Sequence, residues 1–217
     1  SSAASDVYKR QALISGIFTD ILAPLSAGGI IKGLVVLVGA MGWLSTKSGT
    51  YQILYAIGDS IFYFLPVFLG VTAARRFHMN QFIGLAIGAT LTYPTMVQLA
   101  ASKTVLGTLF KGTAFASEIH TTFFGIPVIT MNYTSTVLPV LFTVWFASII
   151  EHWAKKWIPS VVQMFLVPVV TMIIALPVAF IVNGPVMTWV GDAIGAVMSG
   201  VYNFSPIIAG LLMGALW

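Results

Sequence analysis

The chain has 217 residues, 58% of them hydrophobic and only 7% charged, with a mean hydropathy of +0.97, whereas a soluble domain carries roughly 25% charged residues. A water-soluble fold of this composition leaves large apolar patches exposed, which soluble monomers avoid, so the chain is built for lipid. Its net charge of +4 is not gathered into a basic run of the kind that binds nucleic acid, and the lack of cysteine excludes disulfides, thiolate metal sites and a catalytic or phosphorylated Cys within these residues.

Residues 1–11 (SSAASDVYKRQ) are polar, abut a long apolar stretch, and read as a non-native scar rather than a secretory signal. The apolar run 12–44 exceeds one span, and Pro24 offers a place for it to bend. Residues 51–74 form a second span closed by Arg75, Arg76, His78 and Asn80, and residues 81–101 a third, weakened by Pro94. The stretch 102–132 has no helical period and carries Lys103, Lys111, Glu118 and His120, so it belongs outside the bilayer or along a cavity. Within it, TTFFGIPVITMN (121–132) predicts short strands around a Gly-Ile-Pro turn. Residues 133–153 form a fourth span and 161–182 a fifth, ended by Asn183-Gly184-Pro185. Val186, Val190, Ile194, Val197 and Val201 then line one face of an amphipathic linker helix, and residues 205–217 are the truncated start of a sixth span. The fold class is an all-α polytopic membrane protein of about five transmembrane helices plus a truncated sixth, with a short β-like loop and an amphipathic linker.

Basic residues cluster after spans two and four (Arg75, Arg76, Lys155, Lys156) and are scattered in the other loops (Lys47, Lys103, Lys111), which places the N-terminus in the cytoplasm. Two charges lie inside spans, Lys32 and Asp59, and each costs about 2.5–3.5 kcal/mol at the centre of a lipid-facing helix. Joined by a turn at residues 45–50, they sit roughly 18 Å and roughly 12 Å below the outer helix ends, within reach of a lysine side chain. Both therefore point into the protein. They either fasten two helices together or line a path for a hydrophilic substrate. Asp20, earlier in the first run, sits near interfacial water.

Gly29-x-x-x-Gly33, Gly84-x-x-x-Gly88, Gly191-x-x-x-Gly195 and Gly210-x-x-x-Gly214 read as helix-packing devices. His78, His120 and His152 lack ligand spacing, so no metal site is expected, and no phosphate loop, nucleophile elbow or zinc-protease motif implies a cofactor or a self-contained active site. Trp43, Trp153 and Trp157 fall at span ends as interfacial anchors.

The segments ISGIFTDILAPLSAGGIIKGL (14–34), YQILYAIGDSIFYFLP (51–66) and FGIPVITMNY (124–133) followed by TSTVLP (134–139) resemble, in order and spacing, the β-glucoside branch of the phosphotransferase-system enzyme IIC family. The resemblance continues through Asn183-Gly-Pro, Thr188-Trp-Val-Gly and Tyr202-Asn-Phe-Ser-Pro to Leu216-Trp217. It implies a homodimeric permease of the bacterial cytoplasmic membrane, contacting membrane lipids and no nucleic acid. Residues 12–184 correspond to its five-span interface half, 185–204 to a linker, and 205–217 to the start of the sugar-translocating half. It further implies a β-glucoside-like sugar as substrate and IIA and IIB domains as partners, with IIB phosphorylating the sugar from a phosphocysteine, so that the chain is one component of a transferase complex and inactive alone. The family's sugar-binding His and Glu fall beyond residue 217. Lys32, Asp59, Asn132 and Tyr133 lie inside the matching motifs and are the candidate contributors to sugar binding or gating, with helix and loop support as the other role open to them. Two other classes compete: a secondary sugar/ion transporter, which calls for an internal repeat not found here, and a non-transporting membrane scaffold, which leaves the cost of Lys32 and Asp59 unexplained.

Overall fold

A computed structural model describes residues 2–102, 106–109, 117–119, 121–128 and 132–204. The chain divides into two compact units, one of residues 1–97 and 132–176, the other of 98–131 and 177–217.

The first unit is helical. α1 (Ser2–Thr19) is followed directly by α2 (Leu22–Ala40), so the long first run breaks at Asp20-Ile21 and Pro24 falls in the first turn of α2, where a missing N–H is tolerated. Residues 2–11, set aside as a scar, form the first half of α1, with 3–9 and 11 exposed. α2 ends with Gly42 at φ +78°, and the Trp43 amide reaches back to the Val38 carbonyl at 3.2 Å, a closure that needs the left-handed glycine. α3 (Gly49–Tyr63) starts at Ser48, whose hydroxyl accepts from the Tyr51 amide at 3.2 Å. It is separated by Phe64 alone from α4 (Leu65–Arg76), with Pro66 in the first turn. Asn80 caps α5 (Gln81–Leu91) by accepting from the Phe82 amide at 2.9 Å. α6 (Pro94–Ala100) begins at its proline, and α7 (Leu138–Trp157) has Pro139 in its first turn. These prolines sit where half-helices begin, which is where each interrupts a span without leaving an amide orphaned inside a helix.

α4 packs on α5, and α7 packs against both. Leu69, Ala73, Ile87, Val140, Val144 and Ala147 are fully buried between them. Gly84 lies against the Gly70 carbonyl and Gly88 against that of Pro66, so any side chain at these positions collides with backbone. The Gly84/Gly88 pair thus acts as expected. In α2 the contact glycine is Gly28, where a Cβ would stand 2.9 Å from the Gly58 carbonyl of α3; Gly33 faces open space, as do Gly191 and Gly195, and Gly210 and Gly214 lie outside the described residues.

The second unit holds two antiparallel ribbons, β1 (Gly107–Leu109) with β2 (Ser117–Ile119) and β3 (Thr121–Phe123) with β4 (Ile126–Val128). Strands were expected here, but the turn falls at Phe124-Gly125, with φ +48° and +82°, not at Gly-Ile-Pro, whose Ile126 and Pro127 pair in β4. Two successive positive φ values define the two-residue turn whose twist suits a hairpin. Residues 129–131, and with them part of the expected strand run, lie outside the described residues.

α8 (Gln163–Phe204) begins in the first unit and runs on without interruption for 42 residues. The break expected at Asn183-Gly184-Pro185 is therefore absent, and the amphipathic segment is the distal part of α8. Pro185 removes one ladder bond, and the surrounding helical residues keep the backbone in register. The start of a sixth span at 205–217 lies outside the described residues. Among the described residues, four helical stretches are long and apolar enough to cross a membrane: 22–40, 49–76, 81–100 and 163–201. They match expected spans one, two, three and five. α7, the expected fourth, falls short in hydropathy because Glu151, His152, Lys155 and Lys156 occupy its last two turns. The chain is an all-α polytopic membrane protein.

Candidate functional site

Lys32 and Asp59 meet. The Lys32 ammonium donates to Asp59 Oδ1 at 2.8 Å, tying the middle of α2 to α3. Gly58, next to Asp59, makes the approach possible, since a Cβ there would stand 2.6 Å from the Lys32 amide nitrogen. The same ammonium lies 5.5 Å from the ring centroids of Tyr55 and Phe62, so two aromatic faces share its charge. The side chains keep 36% and 26% of their exposure, which leaves the pair open to a ligand or to another part of the protein. The sequence argument for a contact between two costly intramembrane charges is met by a direct ion pair.

Asn132 and Tyr133 lie in the turn that precedes α7. Asn132 Oδ1 accepts from both the amide (2.9 Å) and the hydroxyl (2.6 Å) of Thr134, and the Thr136 hydroxyl donates to the Tyr133 carbonyl at 2.5 Å. The Ser135 amide then donates to the Tyr63 carbonyl at 3.1 Å. Tyr63 is four residues beyond Asp59 on α3, about 6 Å along the same side of the helix. The Lys32–Asp59 pair and the turn that carries Asn132 and Tyr133 thus each make a contact with the second half of α3. Their individual states differ: Asn132 is exposed and uses its carbonyl to shape the turn, while Tyr133 is 1% exposed and acts as the anchor.

A second polar cluster was not foreseen. Glu151 of α7, 1% exposed, accepts from Lys155 at 3.2 Å and from the Asn80 amide at the start of α5 at 3.4 Å. It flanks a recess of about 300 Å³ lined by Asn80, Ile83, Glu151, Lys155, Gln163, Met164, Val167 and Pro168. Gln163 in turn donates to the Lys155 and Ile158 carbonyls at 2.9 Å, closing the end of α7. The only sequence signal was the spacing of Glu151 and Lys155, four apart on one helix. Burial depends on which helix packs over them, and that no local pattern reveals. Nearby, Asp20 pairs with Arg75 at 3.2 Å and stays partly exposed. His152 Nδ1 lies 2.6 Å from the Ser148 carbonyl, His78 closes α4 in a left-handed conformation, and His120 lies outside the described residues. Among the described residues no group of three or more His, Cys, Asp or Glu could hold a metal.

These features sit on a chain whose residues 15–217 match the family described as Phosphotransferase system, EIIC. The chain belongs to that family. It is 51% identical over 94% of its length to the β-glucoside-specific EIIBCA component of Halalkalibacterium halodurans, covering 32% of that protein. It is 36% identical over its whole length to the β-glucoside-specific EIIBCA component of Dickeya chrysanthemi, covering 34% of it. It is also 32% identical over 93% of its length to the arbutin-, cellobiose-, and salicin-specific EIIBC component of Escherichia coli, covering 39% of it. The chain thus spans about a third of the length of these curated relatives. No solved structure matches. As an EIIC sequence, it has its intramembrane ion pair and polar turn within the matched region.

Proposed function

We propose that this chain is part of a sugar permease of the phosphotransferase system that carries a β-glucoside across the cytoplasmic membrane for phosphorylation by a IIB domain. The observation that carries the reading is EIIC membership across residues 15–217, and 51% identity to a β-glucoside-specific relative supports the sugar class. Relatives that carry IIB, or IIB and IIA, in their names support those domains as partners. Residues 12–184 serve as the interface half of a homodimer, 185–204 as the linker and 205–217 as the start of the sugar-carrying half, with the N-terminus in the cytoplasm. Neither the secondary-transporter nor the scaffold reading is favoured by this set of relatives.

Within that permease, Lys32, Asp59, Asn132 and Tyr133 contribute to the sugar path. A sugar demands dense hydrogen bonding in a site shielded from bulk water and an apolar or aromatic face to lie on. An accessible ammonium and carboxylate beside Tyr55 and Phe62 offer both.

The test is to express the full-length gene in cells lacking their own β-glucoside systems and follow labelled sugar. Accumulation of sugar phosphate, modified at the C6 hydroxyl and dependent on phosphoenolpyruvate and IIB, is expected, whereas the 217-residue chain alone accumulates none. Accumulation of unmodified sugar driven by an ion gradient overturns the assignment.

A further inference from the structure

The stretch 49–76 is long enough to span a membrane, and Tyr63, 14 residues from one end and 13 from the other, lies at its middle. The helix is interrupted there. Pro66 has no N–H to offer, and the Val67 amide turns to the Phe64 carbonyl at 2.8 Å instead of the Tyr63 carbonyl four residues back. The Tyr63 carbonyl is released from the helical ladder, and the Ser135 amide occupies it.

The donor is held in an unusual way. Ser135 has φ +60°, a left-handed conformation that a side chain other than Gly or Asn adopts at a cost. The turn around it is shaped by its own side chains, through the Asn132–Thr134 and Thr136–Tyr133 bonds, and is anchored by the buried Tyr133. The Ser135 amide meets the span beside the middle residue of that 28-residue apolar stretch. Asn132 and Ser135 are exposed in this chain, and an irregular polar turn at that position along a span is tolerated only against protein or a water-filled cavity. Strain kept at such a place points to a moving part rather than to a packing accident.

We propose that the turn at residues 132–137 is a strained clasp on the interrupted span, closed by the Ser135 amide on the Tyr63 carbonyl, and that it opens and closes during each passage of sugar, so that Ser135 sets the rate as a positioning residue. This rests on the permease reading. The left-handed strain raises the energy of the closed clasp and keeps its opening fast, because a released Ser135 relaxes to negative φ. Glycine, and to a smaller degree asparagine, removes that strain while keeping the amide donor.

The experiment compares wild type, Ser135→Asn and Ser135→Gly in the full-length transporter, reading thermal midpoint in detergent together with KM and maximal rate of phosphoenolpyruvate-dependent uptake. The expected result is a midpoint that rises in the order Ser, Asn, Gly and a maximal rate that falls in the same order, by up to about tenfold for Gly, with KM unchanged or lower. A rising midpoint with an unchanged maximal rate makes the turn a static support and overturns the clasp, while leaving the permease reading intact. A midpoint that rises in neither variant overturns it as well, because the strain is then not real. If wild type itself shows no coupled uptake, the permease reading fails, and the clasp as a transport element fails with it; the midpoints still report whether the turn is strained.

Discussion

Charge placement decides the behaviour of single residues here. The Lys32–Asp59 pair is neither dry nor free in water, so losing one partner costs between the ~1 kcal/mol of an exposed pair and the ~3 kcal/mol of a buried one. Asp59→Asn therefore lowers the thermal midpoint, and the double change Lys32→Met with Asp59→Leu recovers most of it. If the pair lines the sugar path, uptake stays lost in the double variant; if it only fastens α2 to α3, uptake returns with stability. Glu151 gives a sharper contrast, because it is buried with two donors aimed at it. Glu151→Gln keeps an acceptor for the Asn80 amide and costs about 1 kcal/mol, whereas Glu151→Leu strips that amide of its partner and costs about 2 kcal/mol or more. Denaturation midpoints in detergent distinguish them. The ion pair was legible in the sequence, since two isolated charges in apolar helices joined by a short turn have few places to go. Glu151 was not, because an i, i+4 pair near a helix end looks the same whether solvated or covered.

At the scale of elements, helix approach is governed by a few backbone contacts. Gly70, Gly84 and Gly88 let α4 and α5 touch carbonyl to Cα, and no side chain there can swing aside to make room. Gly84→Ala is expected to cost about 1–3 kcal/mol, as overpacking does. Gly33→Ala meets nothing and gains up to ~1 kcal/mol of helix propensity. A thermal shift comparing the two variants checks both signs. The sequence offered four small-residue motifs of equal appearance, and of the three among the described residues the fold uses one fully; in α2 the working glycine is Gly28, one residue off the motif, because contact faces are chosen by crossing geometry rather than spacing alone. The span interruptions divide likewise. Pro66 and Pro94 mark real breaks at the start of half-helices, while Pro185, preceded by Asn183 and Gly184, reads as a stop and is passed over by α8.

For the whole molecule, composition specified lipid and the run lengths a helical span set, while the lack of a helical period between residues 102 and 132 agrees with the four short strands among the described residues there. The number of helices apolar enough to cross was less legible, since α7 mixes a membrane-like first half with a charged second half. Orientation is open to direct measurement because the chain contains no cysteine. Introduced into the full-length protein in intact cells, a thiol at Lys47→Cys is expected to react with a membrane-impermeant maleimide, and one at Lys156→Cys only after permeabilisation. The reverse pattern inverts the topology. Labelled-peptide mass spectrometry keeps these signals apart from any thiol in a fused domain.

The carbonyl-to-glycine seam between α4 and α5 also bears on how the protein enters the membrane. The α5–α6 stretch is the least apolar of the four candidate spans and is broken by Pro94. It meets α4 backbone to backbone, along a groove formed at Gly70 and Pro66. A newly made α5–α6 segment therefore depends on α4 having been inserted just before it, and can be retained beside the insertion machinery until the two helices close. Damage to the seam then shows itself during biosynthesis, as a segment that slips out and is degraded, before any loss of stability in the finished protein can be measured.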